Sequence, residues 1–209
     1  MVLDKAMIEH IEYEVDGIKD WYKIKDDGAF TDIIDGWKNS DKEVYLRHTK
    51  KFDVVVQAGG YCGIFPRLLS QLFSVVYTFE PDPMNFHCLV MNCPVDNVIK
   101  IQGALGDKHE MVSIVRNHER NRGMNTVRST EGSIVPTFRI DDMMLPECDL
   151  IQLDTEGYEY KILLGAMNTI ETFKPTIIVE DTNSSIEDFL FQYDYRKCDV
   201  SHRDTVYAI

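Results

Sequence analysis

The stretch DVVVQAGGYCGIFPRL, residues 53–68, limits the fold more than any other part of the chain. A short apolar run reads as a strand buried on both faces, the mark of a parallel sheet. It stops at Gly59, Gly60 and Gly63 and passes into an apolar helical period over 64–73. A strand, a glycine turn and a helix in that order open an α/β unit, and the strand's carboxyl end is where such sheets take their ligands.

The rest of the chain repeats the alternation. SVVYTFE (74–80) is a second strand, and PDPMNFHCLVMNC (81–93) a helix with Pro83 in its first turn. VIKIQGAL (98–105) is a third strand. MVSIV (111–115) and SIVPTFRI (133–140) read as extra strands. CDLIQLD (148–154) is again buried and leads into a helix over YEYKILLGAMNTI (158–170). PTIIVE (175–180) is a strand, SSIEDFLFQY (184–193) a helix, and KCDVSH with TVYAI a closing antiparallel hairpin. This order predicts a Rossmann-like, doubly wound, mainly parallel sheet in one domain over 51–209. Residues 1–50 are polar in character, with two tryptophans, Trp21 and Trp37, and read as an N-terminal extension packed on that core. Ser40 and Glu43 have the spacing of a capping box for a helix near 41–50.

Composition narrows the partners. The formal net charge of −13 would repel a long nucleic-acid backbone from most of the surface, so nucleic acid is not an expected partner. No apolar run approaches the ~18 residues of a membrane span, and the acidic start lacks the order of a signal peptide. A cytoplasmic protein is expected. The five cysteines form no C-x-x-C pair and read as reduced, small apolar side chains.

The strand ends carry the candidate site. Gln57, Ala58, Gly59, Gly60, Tyr61 and Gly63 form the first turn, where glycine lets a backbone bend sharply and a ligand come close. Glu80, ending the second strand before Pro81 and Asp82, lies 17 residues after Gly63. That is about the place from which a carboxylate accepts hydrogen bonds from both ribose hydroxyls. Asp154 and Glu156 follow the 148–154 strand on the same edge, where two close carboxylates can divide the work of holding a ligand and accepting a proton. Metal ligands are not assigned: Asp154 and Glu156 offer oxygen to Mg²⁺, but no further ligand is evident. The glycine run A-G-G-Y-C-G is also a near miss to a dinucleotide fingerprint, so local pattern leaves NAD and S-adenosylmethionine both open.

Taken together, VVVQAGGYCGIF, VVYTFEPDPMNFHCLVMN, IQGALGD, FRIDDM, CDLIQLDTEGYEYKILLGA and KPTIIVE resemble, in order and spacing, the FkbM-type methyltransferases over about residues 50–195. The most specific parts are E-P-x-P after the second strand and D-x-E-G-x-E after the 148–154 strand. The resemblance implies a class I fold and S-adenosylmethionine-dependent O-methylation of a small molecule or glycan. It also implies roles. The loop Ala58–Gly63 passes under the methionine part of the cofactor, Glu80 grips the ribose, and Pro81 and Asp82 lie near the adenine. Ala104 and Leu105 line the adenine slot, and Asp154 with Glu156 sits at the reacting centre. Three positions depart from the family's usual pattern: Gln57 stands for Asp, Tyr61 for Asn and Gln152 for Lys.

An alcohol acceptor needs a base, for which Asp154, Glu156 and His118 are candidates. Arg116, Arg120, Arg122 and Arg128 run against the overall charge and suit a phosphate or carboxylate on an anionic acceptor. Two other readings remain: a catalytically silent binding protein, favoured by Gln57 and Tyr61, and an NAD-linked oxidoreductase, favoured by the glycine run alone.

Overall fold

The computed structural model describes residues 7–115, 126–128, 133–201 and 204–209. Four buried strands, β3 (Val54–Ala58), β4 (Val75–Phe79), β10 (Leu150–Leu153) and β11 (Thr176–Glu180), form the centre of a seven-stranded sheet. With β5 (Val98–Ile101), β12 (Arg196–Ser201) and β13 (Asp204–Ala208), the order is β5-β4-β3-β10-β11-β13-β12. The junctions from β5 to β11 are parallel, whereas β13 runs antiparallel to both neighbours. The winding reverses between β3 and β10, so the carboxyl ends of these two strands form the switch-point crevice.

Side chains alternate across this sheet as a period of two requires. One face carries Val55, Val76, Leu150, Ile178 and Val206. It is covered by α3 (Ile64–Leu69), by α4 (Pro83–Asn92) and by the N-terminal extension. The other face carries Val56, Ile151, Leu153, Ile177 and Val179. Here the cover is α5 (Glu159–Leu164), α6 (Met167–Phe173) and α7 (Ser184–Gln192). A smaller sheet, in the order β6-β9-β7-β8, joins β6 (Ala104–Leu105), β7 (Met111–Val115), β8 (Thr126–Arg128) and β9 (Ser133–Phe138). No helix among the described residues is long and apolar enough to cross a membrane. The five cysteines are free thiols, four of them buried.

Several boundaries differ from expectation, each for a packing reason. The strand expected over 98–105 divides, because the chain leaves the large sheet at Gly103, where a Cβ would stand 2.7 Å from the Phe138 ring. The helix expected over 158–170 breaks at Gly165, which presses on Gly106: a Cβ there would stand 2.0 Å from that carbonyl oxygen. The extension opens with an unexpected hairpin of β1 (Ile8–Val15) and β2 (Ile18–Ile24). Its turn is Asp16-Gly17, both at positive φ, as a tight two-residue connection demands.

Ser40 caps no helix. Instead α1 (Ala29–Gly36) runs through a wide turn at Trp37–Asp41 into α2 (Lys42–His48). The wide turn carries Asp41 inward, where it accepts a hydrogen bond from Ser201 at 2.7 Å. Phe30, Ile34, Trp37 and Tyr45 recur at helical spacing and enter the core against the sheet.

Asn92, fully buried, fastens the extension to the crevice. It accepts from the Tyr22 N–H at 2.7 Å and donates to the carbonyls of Tyr22 (2.7 Å) and Cys62 (2.6 Å). Each buried backbone group left unpaired costs ~1–3 kcal/mol. Asn92→Ala is therefore expected to lower stability in urea unfolding by at least ~2 kcal/mol. A loss under ~0.5 kcal/mol, the range of a surface change, would show that the strap carries no load.

Candidate active site

Building the crevice starts at Gly59. The backbone turns off β3 with φ +85° at Gly59, and the amides of Gly59 and Gly60 donate to the Phe79 carbonyl at 3.1 and 2.9 Å. A Cβ on Gly59 would lie 1.8 Å from the carbonyl oxygen of Asp154, so only glycine permits this approach. Gly63, φ +86°, faces the Leu89 backbone of α4 in the same way, with 2.9 Å to a built Cβ. The glycine turn and the Asp154 segment are therefore two walls of one site.

Gln57 lies beneath the turn, fully buried. Its amide donates to the carbonyls of Gly59 (2.8 Å) and Ala58 (3.3 Å) and accepts from the Thr78 hydroxyl at 2.5 Å. All of these contacts are internal, so it shapes the turn from below. Tyr61, held at φ +44°, sends its hydroxyl into the extension to donate to buried Asp27. Burial and the Asp27 charge keep that phenol protonated. Asp27 also caps the backbone of Ala29 at 3.1 Å.

Glu80 is 4% exposed at the end of β4. One carboxylate oxygen accepts from the Tyr61 amide at 2.7 Å. The other accepts from the Asp82 amide at 2.8 Å and from Asn85 Nδ2 at 3.4 Å. Desolvation outweighs these donors and pushes its pKa up to about 8. Asp82 caps α4, accepting from Met84 N at 2.7 Å and Asn85 N at 3.2 Å. Pro81 is partly exposed between them, and Ala104 and Leu105 are buried in β6.

Asp154 continues the ladder of β10, donating its N–H to the Ala58 carbonyl at 3.1 Å. Glu156 and Gly157 follow at φ +55° and +96°. That loop is pinned by Glu159, whose Oε1 accepts from Thr155 N (2.9 Å), Thr155 Oγ1 (2.9 Å) and Gly157 N (3.2 Å). Carboxylate oxygens of Asp154, Glu156 and Glu180 lie within 4.8 Å of one another. Burial, then the hydrogen bond and charge of Glu180, then Asp204 and Glu156, raise the Asp154 carboxyl well above the usual range.

Sequence reasoning missed Glu180, Glu159 and Asp27. Glu180 ends a strand on the binding edge, which was a usable signal, but only register places it beside Asp154. His118, Arg116, Arg120 and Arg122 lie outside the described residues, as does the side chain of Arg128.

With this geometry in hand, the sequence profile of the methyltransferase FkbM domain matches residues 53–197. The chain belongs to that family. A curated relative, the hexuronic acid methyltransferase AglP of Haloferax volcanii, is 24% identical over 173 residues, covering 79% of this chain and 68% of its own. A crystal structure of methyltransferase FkbM from Methylobacillus flagellatus KT superposes with a TM-score of 0.53 at 16% identity. The match covers 85% of this chain, which spans only about half (52%) of that protein. The likeness fits the class I fold expected from the sequence, with the strand reversal at β3 and β10.

Glu80 gives the site a pH signature. Its folded pKa of about 8 lies above the ordinary 4.5. Its contribution to stability is therefore complete below pH 4.5, is lost progressively as pH rises to about 8, and then levels off. Melting temperatures of wild type and Glu80→Gln, compared across pH 4–9, are expected to converge or cross in that window, because the glutamine cannot ionise. Parallel curves would show that Glu80 ionises normally.

Proposed function

We propose that the protein is an S-adenosylmethionine-dependent methyltransferase acting on a hydroxyl oxygen of a small-molecule or glycan acceptor that carries an acid group. The observation that carries this reading is the contact of Gly59 with the Asp154 carbonyl. It sets the cofactor turn and the acidic cluster against each other in one crevice. Family membership over 53–197 favours S-adenosylmethionine over the dinucleotide that the glycine pattern left open. The hexuronic acid named for the Haloferax volcanii relative suggests the acceptor class.

The residues suit such a cofactor. The turn from Ala58 to Gly63 leaves no room for side chains at Gly59, Gly60 and Gly63, so bare backbone lines the position assigned to the methionine end. Glu80, buried at the end of β4, retains acceptor capacity for ribose hydroxyls beyond its present donors. Pro81 and Asp82 on one side, and Ala104 and Leu105 on the other, frame the adenine. Gln57 acts through the turn it supports.

When bound, the cofactor supplies a sulfonium methyl group that an acceptor oxygen displaces in line, with S-adenosylhomocysteine as leaving group. The chain's task is alignment and removal of the hydroxyl proton. Asp154 and Glu156 stand at the crevice rim to take that proton. The silent-binding reading rested on Gln57 and Tyr61. Both side chains are fully engaged in shaping the turn, which is a reason for their presence other than drift.

Thermal unfolding with S-adenosylhomocysteine, S-adenosylmethionine and NAD tests the cofactor. At 100 times Kd a ligand adds ~2.7 kcal/mol, a rise of about 5–10 °C for a chain of this size. A rise with the sulfur ligands alone, together with methyl transfer from labelled cofactor to uronic acid acceptors, is expected. Asp154→Asn should keep the thermal shift and lower turnover by ~10²-fold or more. A shift with NAD alone, or none with any ligand, would overturn the reading.

A further inference from the structure

The acidic cluster brings together more carboxyl groups than a proton acceptor needs, and sheet register explains how it is assembled. Leu153 pairs with Val179, so Asp154 and Glu180 come next on adjacent strands, and Glu180 pairs with Asp204. Three carboxylates thus stand in a row across β10, β11 and β13. The left-handed turn at Glu156 brings a further carboxylate to within 4.8 Å of Asp154 and Glu180. An anionic acceptor would meet strong repulsion here.

A second observation is independent of the acids. Two buried neutral oxygens on the same face of the sheet have no hydrogen-bond partner, Oε1 of Gln152 and Oη of Tyr45. Both residues are 1% exposed. Gln152 lies between Ile151 and Leu153, which face the opposite core, so it leaves β10 on the face covered by the extension. Asp154, two residues on along the same ladder, leaves on that face too. Tyr45 reaches this face from α2 and packs in the same core as Leu150 and Ile178. The carboxylates acting on its hydroxyl are those of Asp204, Asp41 and Asp154. A buried oxygen without a partner is costly in a folded chain. Gln152 Oε1 can only accept, so it calls for a donor, and the clustered carboxylate oxygens are ligands of the kind a hard cation takes. A hydrated cation suits both.

We propose that Asp154, Glu156 and Glu180 bind one hard divalent cation, Mg²⁺ or Mn²⁺, whose retained waters hydrogen-bond to Gln152 and Tyr45. All the donors are oxygens, the set that selects such ions, and Mg²⁺ binds through a few carboxylates while keeping several waters. The inference deepens the preceding reading and rests on it only for what the ion meets. It makes Asp154 and Glu156 cation ligands, and the ion a bridge between an acidic crevice and an anionic acceptor. A second acidic group among the described residues, Asp53, Glu147 and Asp149, lies at the opposite edge of the sheet. There Asp149 is committed to the amides of Asp53 and Val54 at 2.8 and 3.0 Å.

The test is titration of the chelator-treated full chain with Mn²⁺, read by the electron paramagnetic resonance of free Mn²⁺. S-adenosylhomocysteine binding is measured separately by calorimetry. One Mn²⁺ per chain, displaced by Mg²⁺, is expected. Glu180→Gln and Glu156→Gln, both checked for folding by circular dichroism, should each weaken it by ~10-fold or more. Tyr45→Phe should weaken it less, and Glu147→Gln should leave it unchanged. No Mn²⁺ binding in a wild-type chain that binds S-adenosylhomocysteine overturns the cation site and spares the methyltransferase reading. Mn²⁺ binding without S-adenosylhomocysteine binding does the reverse. Mn²⁺ binding that both cluster variants leave intact places the ion elsewhere and also overturns the site.

Discussion

The approach of Gly59 to the Asp154 carbonyl is the contact on which the rest of the crevice depends. Parallel neighbours in a doubly wound sheet each end at the same edge, but their following loops normally diverge toward helices on opposite faces. Here the absence of a Cβ at Gly59 lets the turn after β3 lie against the segment after β10. The ladder can then run one residue further, from Asp154 N to Ala58 O, before the two chains part. That extra rung sets which face Asp154 presents, and hence its place in a row with Glu180 and Asp204.

The same turn is held from two other directions. From below, Gln57 donates to the carbonyl of Gly59 and shares that of Ala58 with the Asp154 N–H. An aspartate in this position would have no donor to offer a carbonyl, so Gln57 changes the job of the residue rather than weakening it. From the side, Tyr61 and Asn92 bind the turn to the N-terminal extension through Asp27, Tyr22 and Cys62. A left-handed φ is unfavourable for a tyrosine, and it is maintained by two partners: Asp27 on the hydroxyl and Glu80 on the amide. The extension is therefore part of the site's architecture, even though it lies outside the matched family segment.

What was legible in the sequence is what period and punctuation record. The buried strands β3, β10 and β11 read as apolar runs because both their faces are covered, and each stops at a residue of chemical interest. The Asp16-Gly17 hairpin was equally written in the chain, as a two-residue turn between alternating segments. It was obscured because the half-exposed strands of the extension carry charges on their outer faces. The breaks at Gly103 and Gly165 were not legible, since each is dictated by an atom distant in sequence, the Phe138 ring and the Gly106 carbonyl. Glu180 belongs to the same class. It joins Asp154 only through the pairing of β10 with β11, which no local window contains.

Charge ties these features together. The chain buries the Glu80 carboxyl behind backbone donors, and gathers several others at the carboxyl ends of β10 and β11. The first arrangement is self-sufficient, because two amides meet the carboxylate's oxygens directly. The second gathers like charges and leaves neutral oxygens at Gln152 and Tyr45 without partners. At the glycine turn, Gln57, Thr78, Tyr61 and Glu80 meet one another's donors and acceptors within the chain. The contrast argues that the turn is finished by the protein alone, while the acidic edge is completed by what it binds.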